Sequence, residues 1–167
     1  MAFFLFIFFV VLLRLTELAI AKRNEKWLLK NGAVEYGQKH YPFIVALHTL
    51  FILSLIGEYM RSSTASISWV FLVFFLILVM AKAWVIYSLG NFWNTKIFRV
   101  PGMAPVKKGP YKFTTHPNYV IVICEMATIP LVFHLYFTAI TFSILNAIMI
   151  SVRIKEENEV WKPPTEA

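Results

Sequence analysis

Long apolar runs alternate with short polar intervals along this chain. A helix that crosses a bilayer needs roughly 20 mostly apolar residues, and on that scale five runs qualify: about residues 2 to 21, 42 to 60, 66 to 89, 118 to 135 and 137 to 153. Almost nothing joins the last two, so they are predicted to form a tight antiparallel hairpin. The fold class expected is therefore all-α, an integral membrane protein with five transmembrane helices in a single domain over residues 1 to 167. The last residues, "KPPTEA", read as a frayed tail.

Composition agrees with that class: 59% of the residues are hydrophobic and only 15% are charged, which is too apolar for a soluble domain. The basic residues then set an orientation, because short cytoplasmic loops are enriched in Lys and Arg. Lys22, Arg23, Lys26, Lys30 and Lys39 follow the first run. Lys96, Arg99, Lys107, Lys108 and Lys112 follow the third, and the tail from Arg153 is basic as well, whereas the other connections carry only Arg61. Every second connection is basic, which places the N-terminus outside and the C-terminus in the cytoplasm. The net charge of +7 is read as this topology signal and as contact with anionic membrane lipid. A nucleic-acid partner is excluded, since that would want the basic residues on one soluble face. "LAIAKR" offers Ala19 and Ala21 in small-x-small spacing, but no positive segment precedes the run and Arg14 and Glu17 interrupt it, so a cleaved signal peptide is not expected. Cys124 is the single cysteine and admits no intrachain disulfide. The sequence leaves the oligomeric state open.

Ionisable groups at membrane depth are costly and mark candidate sites. Arg14 and Glu17, three apart on one helix, are expected to pair with each other. Lys82 either snorkels or neutralises an acid of a neighbouring span. His48 reads as a hydrogen-bonded packing residue, and no His, Cys or carboxylate stands at metal-ligand spacing from it, so no metal site is expected. A hairpin turning near Leu135 and Tyr136 sets Glu125 opposite Asn146, an expected interhelix hydrogen bond. The same register sets Asn118 opposite Arg153, with His116 and Glu157 close by.

That second group lies at the mouth of the hairpin, where residues 109 to 119 read "GPYKFTTHPNY". Pro117 pushes His116 out of the α region and suits the first position of a helix itself. Thr114 and Thr115 are available as caps. His116 then projects beside the free N–H groups of a helix start, a ready anion site. On the facing helix, "RIKEENEVW" puts Arg153 and Glu157 four apart on one face, with Glu156 beside them; alone this would be an ordinary ion pair on a solvated helix end.

Together, "GPYKFTTHPNY" and "RIKEENEVW" resemble the isoprenylcysteine carboxyl methyltransferase family, with its Gly-Pro-Tyr lead, its Arg-His-Pro-x-Tyr turn, and its Arg with paired glutamates after a membrane hairpin. The upstream "LGNFWNTKIFRVPG" is similar to the stretch preceding that motif, and the likeness covers about residues 85 to 161. Thr115 stands where the family has Arg, and Lys112 or Arg153 could take over that charge. Phospholipid N-methyltransferases and NADPH-dependent sterol reductases share a similar His-Pro-x-Tyr signature; the paired glutamates after Arg favour the methyltransferases. The alternatives are a reductase of that NADPH-dependent kind and a non-catalytic membrane adaptor.

The resemblance implies S-adenosyl-L-methionine in a crevice between the last two helices, and a lipophilic small-molecule or lipidated acceptor arriving from the bilayer. It assigns Tyr111, His116, Pro117, Asn118, Tyr119 and Glu156 to cofactor binding, and Arg153, oriented by Glu157, to the acceptor oxygen. Tyr111, Tyr119 and Trp161 could pack on adenine or ribose, or simply belong to an interfacial aromatic belt. The acceptor would be an isoprenylcysteine-like carboxylate or an acidic hydroxyl such as that of an alkylpyrone. Residues 2 to 84 would shape the acceptor pocket, and residues 85 to 161 would form the methyltransferase-like region.

Overall fold

A computed structural model describes residues 1 to 62 and 66 to 161, with the side chain of Trp161 outside the description. Its helices are α1 (Ala2–Lys30), α2 (Tyr41–Arg61), α3 (Trp69–Leu89), α4 (Pro117–Leu131) and α5 (Tyr136–Trp161). Among the described residues the strands form a small antiparallel ribbon, β1 (Val34–Tyr36) with β2 (Ile97–Arg99), in which Glu35 pairs with Phe98. The architecture is all-α apart from this ribbon.

Among the described residues four helices, α1, α2, α3 and α5, are long and apolar enough to cross a bilayer. The fifth expected span is shorter than its apolar run. Helix α4 has 15 residues, about 22 Å at 1.5 Å per residue. It stops because His134 adopts a left-handed backbone with φ of 57°, and the amides of His134 and Leu135 turn back onto the carbonyls of Leu131 and Pro130. This is the left-handed helix stop that satisfies the last carbonyls. Conversely, α1 and α5 continue well beyond residues 21 and 153, because Lys, Arg and Glu are good helix formers once a helix is under way.

Successive helices alternate in direction. At one end, the Glu58 carboxylate accepts from the first amides of α5, Phe137 (3.0 Å) and Thr138 (2.8 Å). The Phe3 ring stacks on Tyr59 there and meets Phe133 edge-on. At the other end, the extension of α1 meets residues 90 to 96, and Arg99 of β2 bonds the Val160 carbonyl of α5. The two basic loops and the start of the basic tail therefore share one end.

Each helix buries a narrow stripe: Phe3, Ile7 and Val10 on α1, Leu47, Phe51 and Leu55 on α2, Phe75 on α3, Met126 and Ile129 on α4, and Phe142 on α5. The opposite faces expose large apolar side chains such as Phe8, Leu53, Val70 and Ile140. Bilayer lipid is the natural cover for such an outer surface.

Charge is buried inside it. Arg14 donates to Glu17 at 2.9 Å, as expected, but also to Glu125 at 2.8 Å. Lys82 completes the group, 2.5 Å from Glu125 and 3.4 Å from Glu17. Of the alternatives for Lys82, neutralising neighbouring acids is the one observed. The expected bond between Glu125 and Asn146 is absent: Glu125 turns to two cations, which at low dielectric offer a carboxylate more than an amide can.

Candidate functional site

The polar turn before α4 starts at a position that only glycine fills without strain. Gly109 has φ of 53°, and a Cβ there would collide with the side chain of Ser88. Residues 109 to 112 make one 3-10 turn, after which the chain runs to His116 at φ −127° and ψ 56°, outside the α region as Pro117 requires. Pro117 is buried and begins α4. His116 is itself the N-cap, and no side chain caps the helix, so Thr114 and Thr115 do not act as expected. The ring of free amides is also smaller than expected, because Pro117 has no N–H and those of Tyr119 and Val120 donate to the His116 carbonyl.

Arg153, Tyr119 and Glu157 form a relay across the hairpin. The Arg153 Nε donates to the Tyr119 hydroxyl at 2.7 Å, and that hydroxyl donates to Glu157 at 2.5 Å. Arg153 also lies over the Tyr119 ring, while the His116 ring stacks on it at 5.2 Å. His116 Nδ1 is 3.7 Å from Glu157. The link expected between Arg153 and Glu157 thus runs through a phenol. Burial, helped by the Glu157 carboxylate, pushes the Tyr111 hydroxyl well above its ordinary range, so it stays neutral.

Tyr111, Thr115, His116, Asn118, Tyr119, Arg153 and Glu157 all line one cavity of about 310 Å3. The loop after α3 and the ribbon close its other side with Trp93, Ile97 and Phe98. Lys112 is not in the lining, so of the two cations proposed to replace the missing Arg only Arg153 is in place. Glu156 also misses the cavity. It pairs with His40 at 3.3 Å, because neighbouring residues on a helix point about 100° apart and Glu157 already takes the inward direction. The side chain of Trp161 lies outside the described residues.

A second, more apolar cavity of about 370 Å3 lies between α1, α2, α4 and α5. Leu15, Leu18, Val45 and Leu53 line it and are themselves exposed on the outer surface, so it opens sideways toward lipid. His48 lines it too, with Nδ1 bonded to the Ile44 carbonyl at 2.8 Å, the packing role expected. Trp93, Asn118, Tyr119 and Arg153 line both cavities. At this junction the Trp93 Nε1 donor and the Asn118 Oδ1 acceptor are buried with no hydrogen-bond partner among the described residues.

Trp93 is the site residue that sequence reasoning missed. It is held by Asn24 on the extension of α1, whose amide donates to the carbonyls of Trp93 (2.8 Å) and Gly90 (3.0 Å). Asn94 returns a bond to the Ala21 carbonyl at 2.9 Å. The pairing joins segments some 70 residues apart, which no local pattern marks; the only available signal was the similarity of the stretch around it.

Comparison with known proteins bears on this geometry. The pattern of the isoprenylcysteine carboxyl methyltransferase (ICMT) family matches residues 69–162, from the start of α3 through the end of α5. The chain is 45% identical over 159 residues to "Uncharacterized protein YpbQ" of Bacillus subtilis (strain 168), covering 94% of this chain and 95% of that protein. It is 29% identical over 154 residues to an "Uncharacterized protein" of Haemophilus influenzae, covering 89% and 88%. No solved structure matches. With its apolar helices and a family match that spans both halves of the relay, this chain is a multi-pass membrane protein that belongs to the isoprenylcysteine carboxyl methyltransferase family, a family of membrane methyltransferases.

Proposed function

We propose that the protein is an S-adenosyl-L-methionine-dependent O-methyltransferase acting on a carboxylate or acidic hydroxyl of a lipophilic acceptor, isoprenylcysteine-like or alkylpyrone-like, at the cytoplasmic membrane face. The observation that carries this reading is the meeting of two unlike cavities, one holding His116, Glu157 and other polar groups along one side and one more apolar and open to lipid, at Trp93, Asn118, Tyr119 and Arg153. A transferase that joins a water-soluble donor to a membrane-soluble acceptor needs such a pair of sites with a shared wall.

The residues of the first cavity suit the cofactor. Its methionine end is a zwitterion, for which Glu157 and the unpartnered Asn118 Oδ1 offer acceptors to the ammonium. His116 and the Asn118 backbone amide in the first turn of α4 offer donors to the carboxylate, and Tyr111 and Phe92 offer flat faces to the adenine. When bound, the cofactor supplies an electrophilic methyl group on a sulfonium.

The protein's own part follows from the junction. A carboxylate acceptor, with an ordinary pKa of about 4, arrives ionised and needs no general base. Arg153, steered by Tyr119 and Glu157, holds the acceptor oxygen, and the free Trp93 N–H is a second donor to it. Residues 90 to 99 and the ribbon cover the junction and exclude water. Holding the reactants aligned and dry is the main contribution open to such a site.

In the membrane we place five crossings with the N-terminus outside, the short α4 completing its crossing with the turn at residues 132 to 135. The alternating helix directions and the single basic end support this. The helices of residues 2 to 84 then wall one side of the acceptor cavity, and residues 85 to 161 supply the other side through α4 and α5 together with the relay.

The test is binding. S-adenosylhomocysteine should raise the melting temperature of the detergent-purified protein, and Glu157→Ala should abolish the rise. Absence of a shift at millimolar ligand would remove the cofactor from the proposal.

A further inference from the structure

Asn146 lines the acceptor-side cavity, is 2% exposed, and has an amide Nδ2 with no hydrogen-bond partner among the described residues. An unpaired buried amide in the middle of a membrane helix is costly. Nearby polar groups of that cavity are engaged, Arg14, Glu17 and Lys82 in the buried charge group and His48 with Ile44, while the other unpartnered groups, Trp93 Nε1 and Asn118 Oδ1, lie at the junction with the first cavity. Asn146 lies seven residues before Arg153 on α5. Seven residues are two helical turns, so both project from one face, about 10 Å apart along the axis. Met149 and Ile150 line the cavity between them. This face of the cavity therefore reads polar, apolar, polar.

Accepting the second cavity as the acceptor pocket, we propose that Asn146 recognises a second oxygen on the acceptor. The acceptor class this defines is narrower than that of the proposed function: a lipophile whose tail itself carries a carbonyl or hydroxyl about 10 Å from the oxygen that is methylated, with apolar carbon between, which a plain isoprenyl or alkyl tail lacks. The amide then works as a filter. Plain fatty acids, abundant in any membrane, present methylenes at that depth and leave the amide unpaired. Sites built to hydrogen-bond a substrate group reject analogues lacking it for this reason.

The experiment compares three carboxylic acids of equal chain length: the unsubstituted acid and two isomeric keto acids, one with the ketone beside the carboxylate and one with it about 10 Å away. Each is assayed for binding, by melting of the detergent-purified protein saturated with S-adenosylhomocysteine, and for methyl transfer from S-adenosylmethionine. The distal ketone should be preferred by about tenfold in affinity and in KM, and Asn146→Leu should erase the preference. The same variant should raise the melting temperature of the ligand-free protein, because it removes an unpaired amide; a purely structural Asn146 would give a fall. Equal binding of all three acids by the wild-type protein overturns the proposal, as does a preference that survives in Asn146→Leu. The S-adenosylhomocysteine shift should persist in that variant, so loss of the shift in the wild-type protein would count against the methyltransferase reading rather than against Asn146.

Discussion

Glu125→Gln tests the buried charge group. In the native protein, Arg14 and Lys82 balance Glu17 and Glu125, with separations of 2.5 to 3.4 Å and every member largely buried. The substitution keeps the shape and removes one negative charge, which leaves two cations sharing Glu17. Breaking a buried pair by removing one partner costs roughly 3–5 kcal/mol. Glu17 remains 2.9 Å from Arg14 and 3.4 Å from Lys82, so the low end, about 3 kcal/mol, applies. For a chain of this length that corresponds to a fall of roughly 6–12 °C in melting temperature. Lys82→Met should destabilise comparably by leaving an extra carboxylate. The double variant, in which Arg14 and Glu17 again balance, should recover much of the loss. Thermal melting of the four proteins in one detergent measures this. Additive losses, with the double variant the least stable, would refute charge balance as the organising principle of this interior.

Tyr119→Phe removes the hydroxyl between Arg153 and Glu157 and should lower kcat by about 10–100-fold through a misplaced guanidinium, while leaving the S-adenosylhomocysteine shift in place; an unchanged kcat would count against the relay. Gly109→Ala forces a left-handed backbone and a collision with Ser88, so the melting temperature should drop by several degrees, matching a strain of about 1–3 kcal/mol. Lys96 is held above the usual lysine range, chiefly by its hydrogen bond to Glu25. Its contribution is therefore fully present below the ordinary value of about 10.4 and fades as pH climbs past the raised folded value. Melting curves of wild type and Lys96→Met should run parallel from neutral pH to about pH 9 and converge only above that range.

Much of the fold was legible because a membrane segment must be apolar over its whole length and satisfy its own backbone. Helix ends were less so. The basic stretch after residue 21 looked like a loop, yet it continues α1 and carries Asn24 to Trp93. Helix α4 ends before its apolar run does, at a backbone turn made by His134, a residue type that marks such a turn far less sharply than glycine. In the site, His116, Asn118, Tyr119, Arg153 and Glu157 come together because hairpin register and i,i+4 spacing are periodic and can be read along the chain. Glu156 fails on the same periodicity, one position out of phase. Trp93 and the partners of Glu125 depend on contacts between distant helices, which periodicity cannot supply.

The most direct measurement is transfer of labelled methyl from S-adenosylmethionine by the purified protein in lipid nanodiscs supplied with a bacterial lipid extract. The account predicts label in a lipid-soluble product whose mass exceeds its precursor by one methylene, with transfer greatly reduced in Arg153→Ala and in Glu157→Ala. Wild-type protein that binds neither S-adenosylmethionine nor S-adenosylhomocysteine, or labels lipid no better than Arg153→Ala, would contradict it.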